Sequence, residues 1–165
     1  MRTLNSEHRD RVLEIIEQSP FLTQIGVRAL ELGDGIYRSQ LTIERTQLNS
    51  FGGVHGGVYA AMLDSACYYC AYADIPEGTG FVTLDLTVND LRSAKLGDVL
   101  TCEAHPIKVG RTTALTEGTI TDQNGNVVAH AISKLYINDK LQPMSAAVEM
   151  LGISESMPPK FIEVD

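Results

Sequence analysis

The chain has no tryptophan and only three cysteines in 165 residues. Without tryptophan, the core must be built from Leu, Val, Ile, Ala and Tyr. The odd cysteine count, Cys67, Cys70 and Cys102, argues against a disulfide framework. No apolar run approaches the roughly 20 residues of a membrane span. Residues 1–19 lack the apolar stretch of a secretory leader and mix both charge signs. Basic residues are also scarce: 13 Lys and Arg against 21 Asp and Glu leave a net charge of −8. General nucleic-acid binding needs a basic face, so this balance excludes it. An anionic ligand would need a local basic patch against an unfavourable overall field. Together these absences predict a cytoplasmic protein with neither membrane nor nucleic acid as partner.

The length suits one domain with a real core, and 44% apolar residues can supply it. Asn5 to Gln18 reads as an amphipathic helix with Val12, Leu13, Ile15 and Ile16 as its apolar stripe, ended by Pro20. Leu30–Leu32 and Ile36–Ile43 flank Gly33-Asp34-Gly35, a hairpin signal. After a loop over 44–53, Gly57 to Ala73 is apolar nearly all round, which predicts burial on every face. From 81 to 138 the pattern is β. Val82, Leu84, Leu86 and Val88 alternate with Phe81, Thr83, Asp85 and Thr87 at a period of two, with Thr83 on the polar face. Val99–Lys108, Arg111–Asp122 and Val127–Ile137 follow, separated by turns at Gly110 and Asn124-Gly125-Asn126. Ser145–Leu151 suggests a short helix, and Pro158-Pro159 an extended end.

Short turns between strands imply an antiparallel sheet, and one sheet with one long helix must bury that helix in its concave face. The expected fold class is α+β, an antiparallel sheet wrapped around one long central helix. The expected division is an N-terminal helix over 1–20, a core domain over 21–138 and a C-terminal extension over 139–165.

The densest information lies in Asn49-Ser50-Phe51-Gly52-Gly53-Val54-His55-Gly56-Gly57, which runs through an apolar helix to Asp64. Burying an ionised carboxylate among Ala, Met, Leu, Cys and Tyr costs several kcal/mol unless it is paired or hydrated. A chain that retains it there uses it. Backbone N–H groups at a helix N-terminus are unpaired and sit at the positive end of the dipole. Gly56 and Gly57 occupy that place with no Cβ to block a ligand. Cys67-x-x-Cys70 lies mid-helix with no second ligand pair for zinc and reads as core packing. Tyr59, Tyr68, Tyr69 and Tyr72 read as packing, with room for some to line a ligand tunnel.

The pattern Asn-x5-His-Gly-Gly-x7-Asp, carried by Asn49, His55, Gly56, Gly57 and Asp64, resembles the hotdog-fold acyl-CoA thioesterases of the phenylacetate-pathway (PaaI-like) type. The similarity extends from about 21 to 138. It includes the Val82–Leu86 strand, the Ala94–Asp98 turn and the Val109–Thr112 turn. The resemblance implies a hotdog fold, and a thioester hydrolase with no cofactor besides the coenzyme A of its substrate. It also implies a homodimer, often paired into a tetramer. It implies that the Gly56 N–H and the Asn49 side chain hold the thioester carbonyl. Thr83 is similar in place to a hydroxyl residue that relatives use to hold the water. His55 would orient Asn49 or the turn rather than act as the base. Two positions depart from the family pattern. Asp90 and Ser93 stand where an aromatic residue and a proline are common, near the acyl and coenzyme regions of relatives.

Physical arithmetic sharpens one point. Asp64 lies about two helical turns beyond Gly56, more than about 10 Å at roughly 1.5 Å per residue. The two cannot share one carbonyl within a subunit, so the expected site is made by two chains. A carboxylate there can act as general base or as nucleophile. Arg92, Lys95, Lys108 and Arg111, in two loops, are candidates for the coenzyme phosphates. Taken singly, Thr83 is an ordinary strand residue, His55 a turn residue and these four cations surface charges. The rival functions are a non-catalytic acyl-CoA-binding hotdog domain, a sensor or scaffold, and a hotdog dehydratase. Pure binding does not need a carboxylate facing the thioester. Dehydratases use a different His and acid spacing.

Overall fold

The computed structural model describes residues 2–163. Strands β1 (Arg2–Leu4), β2 (Arg28–Gly33), β3 (Ile36–Thr42), β4 (Gly80–Asp90), β5 (Val99–Val109), β6 (Thr113–Thr121), β7 (Val127–Asn138) and β8 (Phe161–Glu163) accompany four helices. These are α1 (Ser6–Glu17), α2 (Pro20–Ile25), α3 (Gly56–Tyr69) and α4 (Ser145–Met150). Six strands form one antiparallel sheet in the order β2-β3-β5-β6-β7-β4. The helix α3 packs across its inner face, touching β3 to β7.

Small side chains let α3 come close. Ala104, Ala114 and Ala131 line the sheet beneath it, all buried. A Cβ on Gly118 would already meet Cys67 Sγ and Leu63 Cδ2 at 3.2 Å. Met62 and Leu63 are fully buried at this crossing, each contributing on the order of 2 kcal/mol. The cysteines Cys67, Cys70 and Cys102 are free and buried in the same core. Burial pushes the Cys67 thiol up to about 12, so it is no nucleophile near neutral pH.

Four sequence expectations need correction. Pro20 does not only end α1; it opens α2 at the first helical turn, where a missing N–H is no loss. The helix α3 is not buried on every face. Ala60, Ala61, Asp64, Ser65 and Tyr68 form a half-buried stripe along it. The period of two in β4 breaks, because Thr83 pairs with Leu135 while Asp85 pairs with Lys134, leaving Leu84 as an extra residue in a bulge. Thr83 therefore lies on the helix side with Phe81, not on a polar outer face. Leu86, Val88 and Asp90 share that side through their pairs Ser133, Ala131 and Ala129. Lastly, the end beyond Pro159 is not simply extended: β8 pairs with β1 in a separate two-stranded sheet.

The two terminal segments are strapped together. Asn5 caps α1 by accepting the Glu7 N–H, and its amide donates to Pro159 O at 2.9 Å. Lys160 is buried, and its Nζ donates to Tyr72 O and Ile75 O at 2.6 Å over the Tyr72 ring. His8 Nδ1 lies 2.7 Å from Pro158 O, which can only accept. Nδ1 therefore carries the proton, and Nε2 accepts from Tyr72 O–H, also at 2.7 Å. Burial lowers the His8 pKa, which suits this neutral form.

Candidate active site

The N-terminus of α3 is built by a tight turn. Asn49 N–H donates to Gly53 O, Gly52 N–H donates to Asn49 O, and Gly52 sits at φ 85°. The Asn49 side chain serves the same turn, its Oδ1 accepting from Phe51 N–H at 2.8 Å. Its Nδ2 reaches Val54 O only at 3.5 Å, so this donor is barely engaged.

His55 is the N-cap. Its backbone is extended, and Nδ1 accepts the Gly57 N–H at 2.9 Å. The imidazole holds the helix start rather than Asn49, and the Gly57 N–H is taken. The Gly56 N–H has no acceptor among the described residues. It is the one open backbone donor of this glycine pair, at the positive end of the α3 dipole. A side chain at either glycine would have to displace a neighbouring one. A Cβ on Gly57 would meet His55 Nδ1 at 2.9 Å, and one on Gly56 would meet Asp90 Oδ2 at 2.7 Å.

Two turns further along the same unbroken helix, Asp64 is half-buried on the open stripe. Thr83 Oγ1 donates to Asp64 Oδ1 at 2.9 Å. The Oδ2 atom has no hydrogen-bond partner among the described residues. The pair lies just before the bulge at Leu84, and Ser133 supports the bulge. Its hydroxyl, buried on β7, donates to Asp85 O at 2.9 Å. Nothing in the sequence pattern pointed to Ser133.

Asp90 and Ser93 flank the other end of the helix. A cleft of about 260 Å³ lies between Val54, Gly56 and Tyr59 on one side and Asp90 to Ser93 on the other. Tyr59 is pinned there, its hydroxyl oxygen accepting the Ala94 N–H at 2.9 Å. Burial raises the Tyr59 pKa, with the Asp90 and Asp98 charges adding to it.

The four candidate cations do not form one patch in a chain. Arg92 lines the cleft beside Gly56, with Lys95 three residues further along the same loop. Lys108 and Arg111 border a groove beside Asp74 and Pro76, beyond the opposite end of α3. The length of the helix, about 20 Å for its 14 residues, separates the pairs.

The sequence matches the Thioesterase superfamily over residues 51–129. It is 35% identical over 119 residues to a Mycobacterium tuberculosis protein provisionally named an esterase, covering 70% of this chain and 84% of that one. Human acyl-coenzyme A thioesterase 13 is 29% identical over 91 residues, covering 54% of this chain and 64% of that one. The Escherichia coli PaaI protein of the phenylacetic acid degradation operon superposes with a TM-score of 0.73 at 22% identity, over 81% of this chain and 95% of that one. The last is a likeness of fold. By its length of match and its identity to the mycobacterial relative, with α3 wrapped by the sheet as that fold requires, the chain belongs to the thioesterase superfamily and carries its hotdog fold.

Proposed function

We propose that the protein hydrolyses acyl-CoA thioesters in sites shared by two copies of the chain. The observation that carries this reading is the Asp64–Thr83 pair on the open stripe of α3, two turns from the free Gly56 N–H. One copy's Gly56 N–H, aided by Asn49 Nδ2, polarises the thioester carbonyl as it becomes an oxyanion. The second copy's Asp64 supplies the carboxylate, as base on water or as nucleophile, and coenzyme A leaves as the thiol. Thr83 holds one Asp64 oxygen, so the other faces the substrate.

Two features support the pairing. The β4 strand is a free sheet edge, with Val82 and Leu84 exposed on it. Long apolar edges seek a partner strand. Setting Asp64 opposite the partner's Gly56 in antiparallel helices centres their crossing on position 60. That position is Ala60, next to Ala61 on the half-buried stripe, where small residues permit close approach. The same pairing brings Lys108 and Arg111 of one copy toward the end of the site where Arg92 and Lys95 of the other stand. All four then face the coenzyme phosphates. A tetramer of two such dimers is the proposed assembly. Three buried free thiols suit a reducing compartment, so the cytoplasm is the proposed location. Among the described residues, no helix is long and apolar enough to cross a membrane.

The test is thiol release from aryl, short and long acyl-CoAs. Asp64→Asn is expected to lose at least about a hundredfold in kcat while still binding the ester. Wild-type turnover by that variant refutes the role of Asp64. Ala60→Glu is expected to give a folded, inactive monomer by light scattering. An active monomer refutes the shared site.

A further inference from the structure

The Asp90 carboxylate is turned toward the start of α3. The bulge at Leu84 puts it on the helix side of β4, opposite Ala129. Its Oδ2 stands 2.7 Å from the point a Cβ on Gly56 would occupy. A Cβ lies about 2.5 Å from its own nitrogen, so Oδ2 is within about 5 Å of the Gly56 nitrogen. A carbonyl oxygen held by that N–H would sit about 2.9 Å from the same nitrogen. A carbonyl so held and the Asp90 carboxylate would lie within about 8 Å of each other, both bordering the 260 Å³ cleft. The Asp90 side chain is exposed and makes no hydrogen bond or ion pair among the described residues, although Arg92 lines the same cleft. Once a bound acyl group displaces the water around it, a carboxylate at this range opposes the negative charge that gathers on the carbonyl oxygen during hydrolysis. A hydrogen-bond donor on the acyl group, lying between the two, would satisfy the carboxylate and relieve that opposition.

We propose that Asp90 selects acyl groups carrying a hydroxyl or amine one to three atoms from the thioester carbonyl, and rejects acyl groups carrying a carboxylate there. This rests on the reading that Gly56 holds the thioester carbonyl. The preference acts on the transition state, so it appears in kcat as well as in KM.

The experiment compares three four-carbon esters, butyryl-CoA, 3-hydroxybutyryl-CoA and succinyl-CoA, and adds phenylacetyl-CoA with its α-hydroxy counterpart. Wild type is expected to favour each hydroxylated ester by about tenfold in kcat/KM, the value of one charge-assisted hydrogen bond. Succinyl-CoA is expected to be the poorest of its set. Asp90→Ala should bring the hydroxyl preference close to one and raise the rate on butyryl-CoA severalfold. Asp90→Asn, which keeps an acceptor oxygen without the charge, should retain part of the hydroxyl preference and recover succinyl-CoA. Unchanged ratios in Asp90→Ala, or no hydroxyl preference in wild type, overturn the proposal while leaving thioester hydrolysis intact. Failure of the broader reading has a different signature: no thiol from any ester, in wild type and variants alike, which removes this inference with it.

Discussion

Replacing Thr83 with valine keeps the shape of the side chain and removes only the hydroxyl. In the structure that hydroxyl makes a 2.9 Å bond to Asp64 Oδ1. A hydrogen bond to an ionised group contributes about 1.5–3 kcal/mol. Asp64 is half-buried, so water can replace part of the lost bond, and about 2 kcal/mol is the appropriate figure. If the bond serves to aim the carboxylate, this appears as a loss of roughly thirtyfold in kcat, with KM changed little. Thermal stability should shift by only a few degrees, since the exposed side of Asp64 remains hydrated. Thr83→Ser retains the donor and should stay within a few-fold of wild type. A chromogenic assay for released thiol reads all three rates. The decisive comparison is the double variant. If Thr83 works through Asp64, Thr83→Val adds nothing in an Asp64→Asn background. A full thirtyfold loss in that background would refute the coupling, as would a wild-type kcat in Thr83→Val alone.

Ser133→Ala removes the donor to the Asp85 carbonyl at the bulge. It should cost about 1–3 kcal/mol in urea unfolding, because that carbonyl loses its partner. It should also lower kcat more than it raises KM, since the Thr83 register loosens; a stability loss with unchanged kcat would show that the bulge does not position Thr83. Lys160 makes stability pH-dependent in a definite direction. Burial draws its ammonium from about 10.5 down to about 7, against the opposing charge of Glu77. Between those values the unfolded chain binds more protons than the folded one, so stability rises with pH. The penalty is full below about pH 7 and relieved toward about pH 10. Urea midpoints at pH 6.5, 8 and 9.5 should climb in wild type and stay flatter in Lys160→Met; parallel curves would remove Lys160 as the cause.

The chain's local signals were strong where structure depends on nearby residues. The α1 stripe, the Gly33-Asp34-Gly35 hairpin, the Asn124-Gly125-Asn126 turn and the short helix near 145–150 all formed close to their expected bounds. The glycine-rich turn leading into an apolar helix, with Asp64 two turns in, was legible for the same reason. Helix rise is a fixed quantity, so the separation of Gly56 and Asp64 follows from counting residues. The β4 face was not legible. Its apolar alternation ran through Leu84 without a break, and no residue there announces a bulge. The pairing of β4 with β7 inserts the extra residue, and Ser133, 48 residues away, holds the freed carbonyl.

That one inserted residue explains the difference between the two levels of description. Residue identities and spacing were enough to place a carboxylate two turns along a helix from a glycine-rich start. They could not decide which way β4 turns its side chains, because a shift of one residue sends each of them to the opposite face. Long-range pairing made that choice. It set Thr83 against Asp64 and turned Asp90 toward Gly56, and it divided the four cations between the two ends of α3. The chemistry available to the chain is written in its residues; the neighbours of each candidate group are set by contacts between segments far apart in sequence.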